Sequence, residues 1–201
     1  MVSEQNKAVV DAIKRSDLNS YKTLSDLLDM AKVIADPEGD HDLAYALKLT
    51  NFIKRKIPTL PSSIVLNQLY WQAMKFEAPH RFESFLLYME KNRSPKKRFY
   101  QPRAKTLHVV VEDLQDLEDG LIEFYGLSLP PRVGKSTVCI FFLAWCAGRH
   151  PDLHNAMGGH SGILAKGFYK EFLNLITSPE YTYNEIFPNV TLESKSSDEY
   201  T

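Results

Sequence analysis

A chain of 201 residues is long enough for one good core or two small ones. Its formal net charge is −1, which excludes a global basic field drawing it to nucleic acid, so any DNA contact is local. The polar start, Met1 to Lys7, has no signal-peptide apolar region, and the longest apolar run, Val138 to Ala147, is too short to span a bilayer. Both features predict a soluble protein. Cys139 and Cys146 lie seven apart in one apolar helix, point the same way and cannot bridge at that spacing. They read as reduced core residues of a cytoplasmic protein.

The first half reads as helix throughout. Ser3 caps a helix over 4–15, with Val9, Val10 and Ile13 on one side. A second fits 22–35, with Leu24, Leu27, Leu28, Ala31 and Ile34 at three–four spacing, stopped by Asp36-Pro-Glu-Gly39. Asp40 can cap a third over 41–56, with Leu43, Ala44, Leu47 and Phe52 inward. Pro58 and Pro61 mark a break, after which Ser62 or Ser63 caps a fourth helix running to Glu77. A fifth, from His80 to Asn92, carries Phe82, Phe85, Leu86 and Met89. Residues 1–92 are thus expected to form a helical region, a small bundle with short connections.

A basic run follows: Lys91, Arg93, Lys96, Lys97, Arg98, Arg103 and Lys105, interleaved with Phe99 and Tyr100. Such a cluster can grip phosphate backbones and stack an aromatic on a base. The favoured reading is a solvated loop lying opposite the acidic stretch Glu112 to Asp119. Leu107-His-Val-Val-Val-Glu-Asp113 imitates a strand ending in metal-binding acids. Its apolar residues Leu107, Val110, Val111, Leu114, Leu117 and Leu121 fall at helical spacing instead, and Asp119-Gly120 closes the helix.

The centre of the chain is Ser128-Leu-Pro-Pro-Arg-Val-Gly-Lys-Ser-Thr137, with the apolar segment 121–129 before it and Val138 to Ala147 after it. Strand, tight turn ending in Gly-Lys-Ser, then helix is the order that cradles nucleotide phosphates. The glycine lets backbone N–H groups close on the anion, and the helix N-terminus adds positive partial charge. Residues 132–137, that is Arg132, Val133, Gly134, Lys135, Ser136 and Thr137, are the candidate nucleotide-binding set. Lys135 would reach the β/γ-phosphates and Ser136 would supply a hydroxyl to Mg²⁺. Arg132 could stabilise charge on the γ-phosphoryl group, which makes Arg132 and Lys135 the catalytic candidates. The first glycine of the full pattern is absent, its place being taken by Leu129. Downstream, 154–160 is expected as a second, parallel strand, and Ser161 caps a helix to Ile176 with Leu164, Phe168, Phe172, Leu175 and Ile176 toward the sheet. The tail from Asn189 to Thr201 is polar and expected to be loose. Cys146, His150, His154 and His160 tempt a zinc reading, but Gly148 and Pro151 interrupt them, and scattered core and loop histidines are favoured. Trp71 and Trp145 read as core anchors.

Pro-Pro-Arg-x-Gly-Lys-Ser after an apolar segment resembles the deviant phosphate loop of the large terminase subunits of tailed bacteriophages. The flanks match in kind: Leu114 to Gly120 before the loop, and Ala144 to Pro151, Ser161 to Lys166, Ser178 to Tyr181 and Glu185 to Pro188 after it. The likeness covers residues 82–190, and residues 1–80 carry no family signature. It implies an α/β fold, in which a helical N-terminal region leads into the first strand–helix units of a P-loop NTPase sheet over 93–201. It further implies ATP and Mg²⁺ as cofactors, and double-stranded DNA, a small terminase subunit and a portal protein as partners. The activity implied is ATP-driven packaging of DNA into procapsids in the bacterial cytoplasm, with a homo-oligomer possible and no membrane. It also supports the role of Arg132 and brings Phe99 to Arg103 near the nucleotide. The family's magnesium-holding acids and nuclease domain come further downstream than this sequence extends, so the chain alone is expected to hydrolyse little. Another P-loop NTPase of helicase-like type, and a non-catalytic helical interaction module, are the competing readings.

Overall fold

Every regular element in the structure, a computed structural model describing residues 1–38 and 40–192, is helical. The chain divides into two compact units, Met1–Glu77 and Ala78–Thr201.

In the first unit, α1 (Glu4–Lys14) begins where the Ser3 hydroxyl accepts from Asn6 N at 3.2 Å. Val10 is its buried residue. The stripe on α2 (Tyr21–Ala35) is as expected: Leu24, Leu27, Leu28, Ala31 and Ile34 are all buried, and Asp36 ends the helix in extended conformation. The expected stop at Gly39 lies outside the described residues.

Two expectations for the third helix need correcting. α3 (Leu43–Lys56) is capped by Asp42, whose Oδ1 accepts from Tyr45 N at 2.9 Å. Asp40 instead turns to the start of α1, where its Oδ2 accepts from Ser3 N at 2.9 Å and Asn6 Nδ2 at 2.7 Å. The buried face is Ala46, Leu49, Thr50 and Ile53, so the inward stripe is displaced from the one expected. Thr50 is tolerated inside because its hydroxyl donates to the fully buried carboxylate of Glu77 at 2.6 Å. Glu77 ends α4 (Ile64–Glu77) and also takes the Lys54 ammonium, so the charge is paired where it is buried. Ser63 caps α4 through its hydroxyl on Leu66 N at 3.2 Å.

The second unit opens with α5 (Phe82–Met89), shorter than expected, with Phe82, Phe85, Leu86 and Met89 buried. α6 (Ala104–Glu118) is the amphipathic helix expected, burying Leu107, Val110, Val111 and Leu114. Gly120 at φ 72° supplies the left-handed residue that closes it. α7 (Lys135–Arg149), α8 (Gly162–Thr177) and the short α9 (Tyr183–Ile186) follow, α7 packing on both α5 and α8. Trp145 is fully buried and its indole donates to Ala78 O at 2.9 Å, while Trp71 is half-buried.

No strand forms among the described residues, so the expected α/β fold with a P-loop sheet is overturned. The segment 121–129 is irregular and forms no ladder, and Leu121 and Phe124 are 72% and 86% exposed. A strand's backbone groups need a neighbour, and the segment intended to supply one, 154–160, is exposed irregular chain. That segment contains Asn155, Gly158 and Gly159, which disfavour extended pairing. The apolar residues of α8 consequently face helices rather than a sheet. Leu175 and Ile176 are buried, and Leu164, Phe168 and Phe172 are half-buried.

α7 is covered on most of its circumference, and a phenylalanine ring closes each end against a glycine. A Cβ on Gly134 would lie 2.5 Å from Phe99 Cε2, and one on Gly148 would lie 2.3 Å from Phe187 Cδ2. Neither glycine can carry a side chain unless its ring moves.

Candidate phosphate-binding loop

The loop is suspended between α6 and α7. After Gly120 the chain is irregular, and the Tyr125 phenol lies near the Asp113 carboxylate of α6. Burial, reinforced by that carboxylate, pushes the Tyr125 phenol up to about 12. Pro130 and Pro131 then lead into Arg132, which has φ 67°, and Gly134, which has φ 105°. A proline followed by a residue of positive φ is the arrangement of a type II turn, where glycine normally takes the second place. Arginine there costs about 1 kcal/mol of backbone strain.

Gly134 hands the chain to α7 without a side-chain cap, and the first turn carries no acid. The earliest backbone bond of the helix joins Val138 N to Gly134 O at 3.0 Å. The N–H groups of Lys135, Ser136 and Thr137 precede it, in the part of a helix that has no internal acceptor. Lys135 and Ser136 are exposed, Arg132 is exposed, and Val133, Gly134 and Thr137 are half-buried. The six candidate residues therefore form one continuous surface, with two cationic side chains at the positive end of a helix. A cation there is unfavourable by about 0.3–1 kcal/mol. Local conflicts of this kind are what an anion would relieve.

The seat beneath the loop is aromatic. Phe99 lies against Gly134 and stacks on Phe141 of α7, centroids 5.5 Å apart and planes 12° apart. The Arg103 guanidinium sits over the Phe99 ring, 5.3 Å from its centroid, and donates to Phe99 O at 2.9 Å. Glu90, only 2% exposed, holds this segment from below. Its carboxylate accepts from Phe99 N at 2.8 Å, from Tyr100 N at 3.0 Å and from Arg93 at 2.9 Å. Charge-assisted bonds of this kind are the stronger class and rigidify the turn.

The basic run is thus neither a base-stacking platform nor the partner of the acidic stretch in α6. Phe99 and Tyr100 are buried. Lys91 pairs with Glu185 at 2.6 Å, and Arg93 and Lys97 reach Glu180 at 3.5 and 3.3 Å. Arg98 donates to the carbonyls of Arg93 and Lys91, both at 2.9 Å. Sequence reasoning missed Glu90. The signal was present: it is a lone acid ending an apolar helix just ahead of a basic run.

Cys146 and His150 converge on Glu118 of α6 rather than on each other. The thiol donates to Oε2 at 3.2 Å and His150 Nε2 lies 2.8 Å from Oε1. Burial first, then the Glu118 carboxylate, holds the Cys146 thiol far above its ordinary range. Among the described residues no three His, Cys, Asp or Glu side chains gather in a way that could hold a metal ion. Cys139 is half-buried, and its thiol is also raised by burial, with Lys135 opposing.

Beside the loop, α7 and α8 enclose a cleft of about 280 Å³. Thr137, Ile140 and Phe141 line it from α7, and Glu171, Asn174 and Leu175 from α8. Of these α8 residues only Leu175 belongs to the face expected to meet a sheet.

No helix of the described residues is long and apolar enough to cross a membrane. No family model, no curated protein and no solved structure matches the chain.

Proposed function

We propose that residues 128–137 hold the phosphates of ATP, and that the chain serves as the N-terminal ATPase portion of a large terminase subunit. The observation that carries this reading is the uncapped, acid-free start of α7, entered through Gly134 in the left-handed region, with Lys135 and Ser136 exposed on its first turn. Backbone N–H groups and a lysine at that place match the chemistry of a polyphosphate. Arg132 lies on the same surface and would meet the terminal phosphate. The Ser136 hydroxyl would join Mg²⁺ arriving with the nucleotide, and the ion would offset charge on the phosphate oxygens. The assignment to DNA packaging rests on the likeness of Pro-Pro-Arg-x-Gly-Lys-Ser to the terminase loop. Double-stranded DNA, a small terminase subunit and a portal protein are the partners that assignment proposes.

Binding of a fluorescent ATP analogue with Mg²⁺, compared between the chain and its Lys135→Ala variant, tests the reading. Binding that disappears on substitution is expected. Equal binding by both, or none by either, overturns it.

A second reading, a helical interaction module, draws on the first unit. There Ile64 is 80% exposed and Val65 47%, next in sequence to a groove of about 300 Å³ lined by Ile57, Pro58, Leu60, Pro61, Leu66 and Tyr70. Capture of a small terminase subunit or portal without nucleotide would select it.

A further inference from the structure

Charge is unevenly shared along the first unit. Between Asp42 and Glu77 the sequence contains no acidic residue, and its charges are Lys48, Lys54, Arg55, Lys56 and Lys75. Glu77, the carboxylate that closes this span, is fully buried and takes the Lys54 ammonium. Arg55 and Lys56, in the last turn of α3, are engaged by no ion pair among the described residues. Arg55 is exposed and Lys56 half-buried. Both directly precede Ile57, where the chain enters the groove between α3 and α4.

That groove has an apolar floor and an accessible apolar rim. Ile57 and Leu66 are 9% and 8% exposed, Leu60 and Tyr70 are half-buried, and Pro58 and Pro61 stand exposed. Ile64 and Val65, also exposed, lie in sequence between the lining residues Ser63 and Leu66 and carry the apolar surface outward. No lining residue is charged. A volume of about 300 Å³ is at the small end for ligand pockets. It suits the anchor side chains of a helix laid along the groove.

Complementary charge selects the occupant. Arg55 and Lys56 stand where α3 ends, and α4 begins with no acid in its first turn. The N-terminal end of α4 adds positive partial charge. An acidic partner therefore meets attraction and no repelling carboxylate from α3 or α4, whereas a basic partner is repelled. An exposed isoleucine and valine favour a protein partner over a nucleic acid, whose phosphates gain nothing from them.

We propose that this groove docks an acidic amphipathic helix of a partner protein, with a leucine- or phenylalanine-sized anchor in the groove and Asp or Glu side chains against Arg55 and Lys56. The inference deepens the interaction-module reading of the first unit and is independent of the phosphate loop.

Fluorescence anisotropy on the full chain, with three pools of short amphipathic helical peptides, tests it. The pools share randomised apolar anchors and differ in their flanking residues, which are Glu, Gln or Lys. The Glu pool should bind roughly ten-fold tighter than the Gln pool at low salt, the scale of two partly exposed ion pairs. That advantage should fade toward about 1 M salt. Arg55→Gln with Lys56→Gln should erase it and leave binding of the Gln pool unchanged. Ile64→Ser should weaken both pools by roughly ten-fold, since its apolar surface is lost from the contact. Val109→Ser, at an exposed position of the second unit, should weaken neither. Circular dichroism melts check that each variant stays folded. Equal binding of the Glu and Gln pools, with Ile64→Ser weakening both, overturns the acidic partner and leaves the interaction module standing. Binding by no pool, or binding that Ile64→Ser leaves unchanged, removes the groove as a docking site and with it the observation behind the module reading. A labelled DNA duplex that binds in place of the Glu pool, and is lost with Arg55→Gln, would give the surface to nucleic acid. Self-association that Ile64→Ser abolishes, with no pool bound, would give it to a second copy; either result overturns the proposal.

Discussion

Replacing Lys135 by alanine should move stability in opposite directions with and without ligand. Lys135 is the first residue of α7, in a turn with no acid and no side-chain cap, so its charge sits against the positive end of the helix. Removing it relieves an unfavourable interaction of about 0.3–1 kcal/mol, at the lower end because the side chain is exposed. Alanine and lysine are both good helix formers and add little of their own. For a unit of this size the gain corresponds to about 1–3 °C in Tm at low ionic strength, fading toward about 1 M salt as screening shortens to a few ångströms. With Mg-ATP at about 100 times its Kd, the unaltered chain should gain about 2.7 kcal/mol, or about 10 °C, and the variant far less. Far-ultraviolet circular dichroism melts at two salt concentrations, with and without nucleotide, read both effects. A variant that melts lower without ligand would show that Lys135 is a structural residue. An identical nucleotide shift in both proteins would remove it from the binding site.

Gly134→Ala should cost about 1–3 kcal/mol by urea unfolding, because its φ is 105° and the new methyl would sit 2.5 Å from Phe99. Shrinking the ring in a Phe99→Leu background should recover the steric part only. Glu90→Ala should cost about 3–5 kcal/mol, since Arg93 and the Phe99 and Tyr100 N–H groups lose a buried acceptor, and Glu90→Gln should cost less. Tyr88, Tyr100, Tyr125 and Tyr183 all have phenols raised above 10 mainly by burial, Tyr125 to about 12. Their folded values exceed the unfolded one, so their contribution is intact below pH 10 and is lost as pH rises toward 12 and beyond. Tyrosinate absorbance should therefore lag behind free tyrosine until alkaline unfolding releases it; ordinary titration near 10 would contradict the burial.

The helices were legible where one local pattern decided them. In α2 the five spaced apolar residues all reach the core, and Ser3, Ser63 and Ser161 cap as their positions suggest. α3 was misread because apolar character alone assigned its face, whereas Thr50 is held inside by Glu77, 27 residues away. The strands failed for a related reason. An apolar run such as 121–129 says that burial is favourable, not that a ladder partner exists, and pairing is a non-local property. At the loop, Gly-Lys-Ser announced the start of the helix at Lys135. Only the resemblance brought Phe99 near the loop, 35 positions before Gly134, and Glu90 beneath Phe99 did not show, because that contact forms only on folding.

The two rings that close α7 on its glycines have a consequence for how this helix can change length. Gly134 and Gly148 are 14 residues apart, about 21 Å along the axis. Inserting or deleting a single residue between them would shift one end by about 1.5 Å and turn it by about 100°. One glycine would then leave its ring, and a bulkier neighbour would arrive under Phe99 or Phe187. α7 is therefore a fixed-length spacer that tolerates exchange of side chains but not a change of register, and the loop at its start keeps its place relative to the far end.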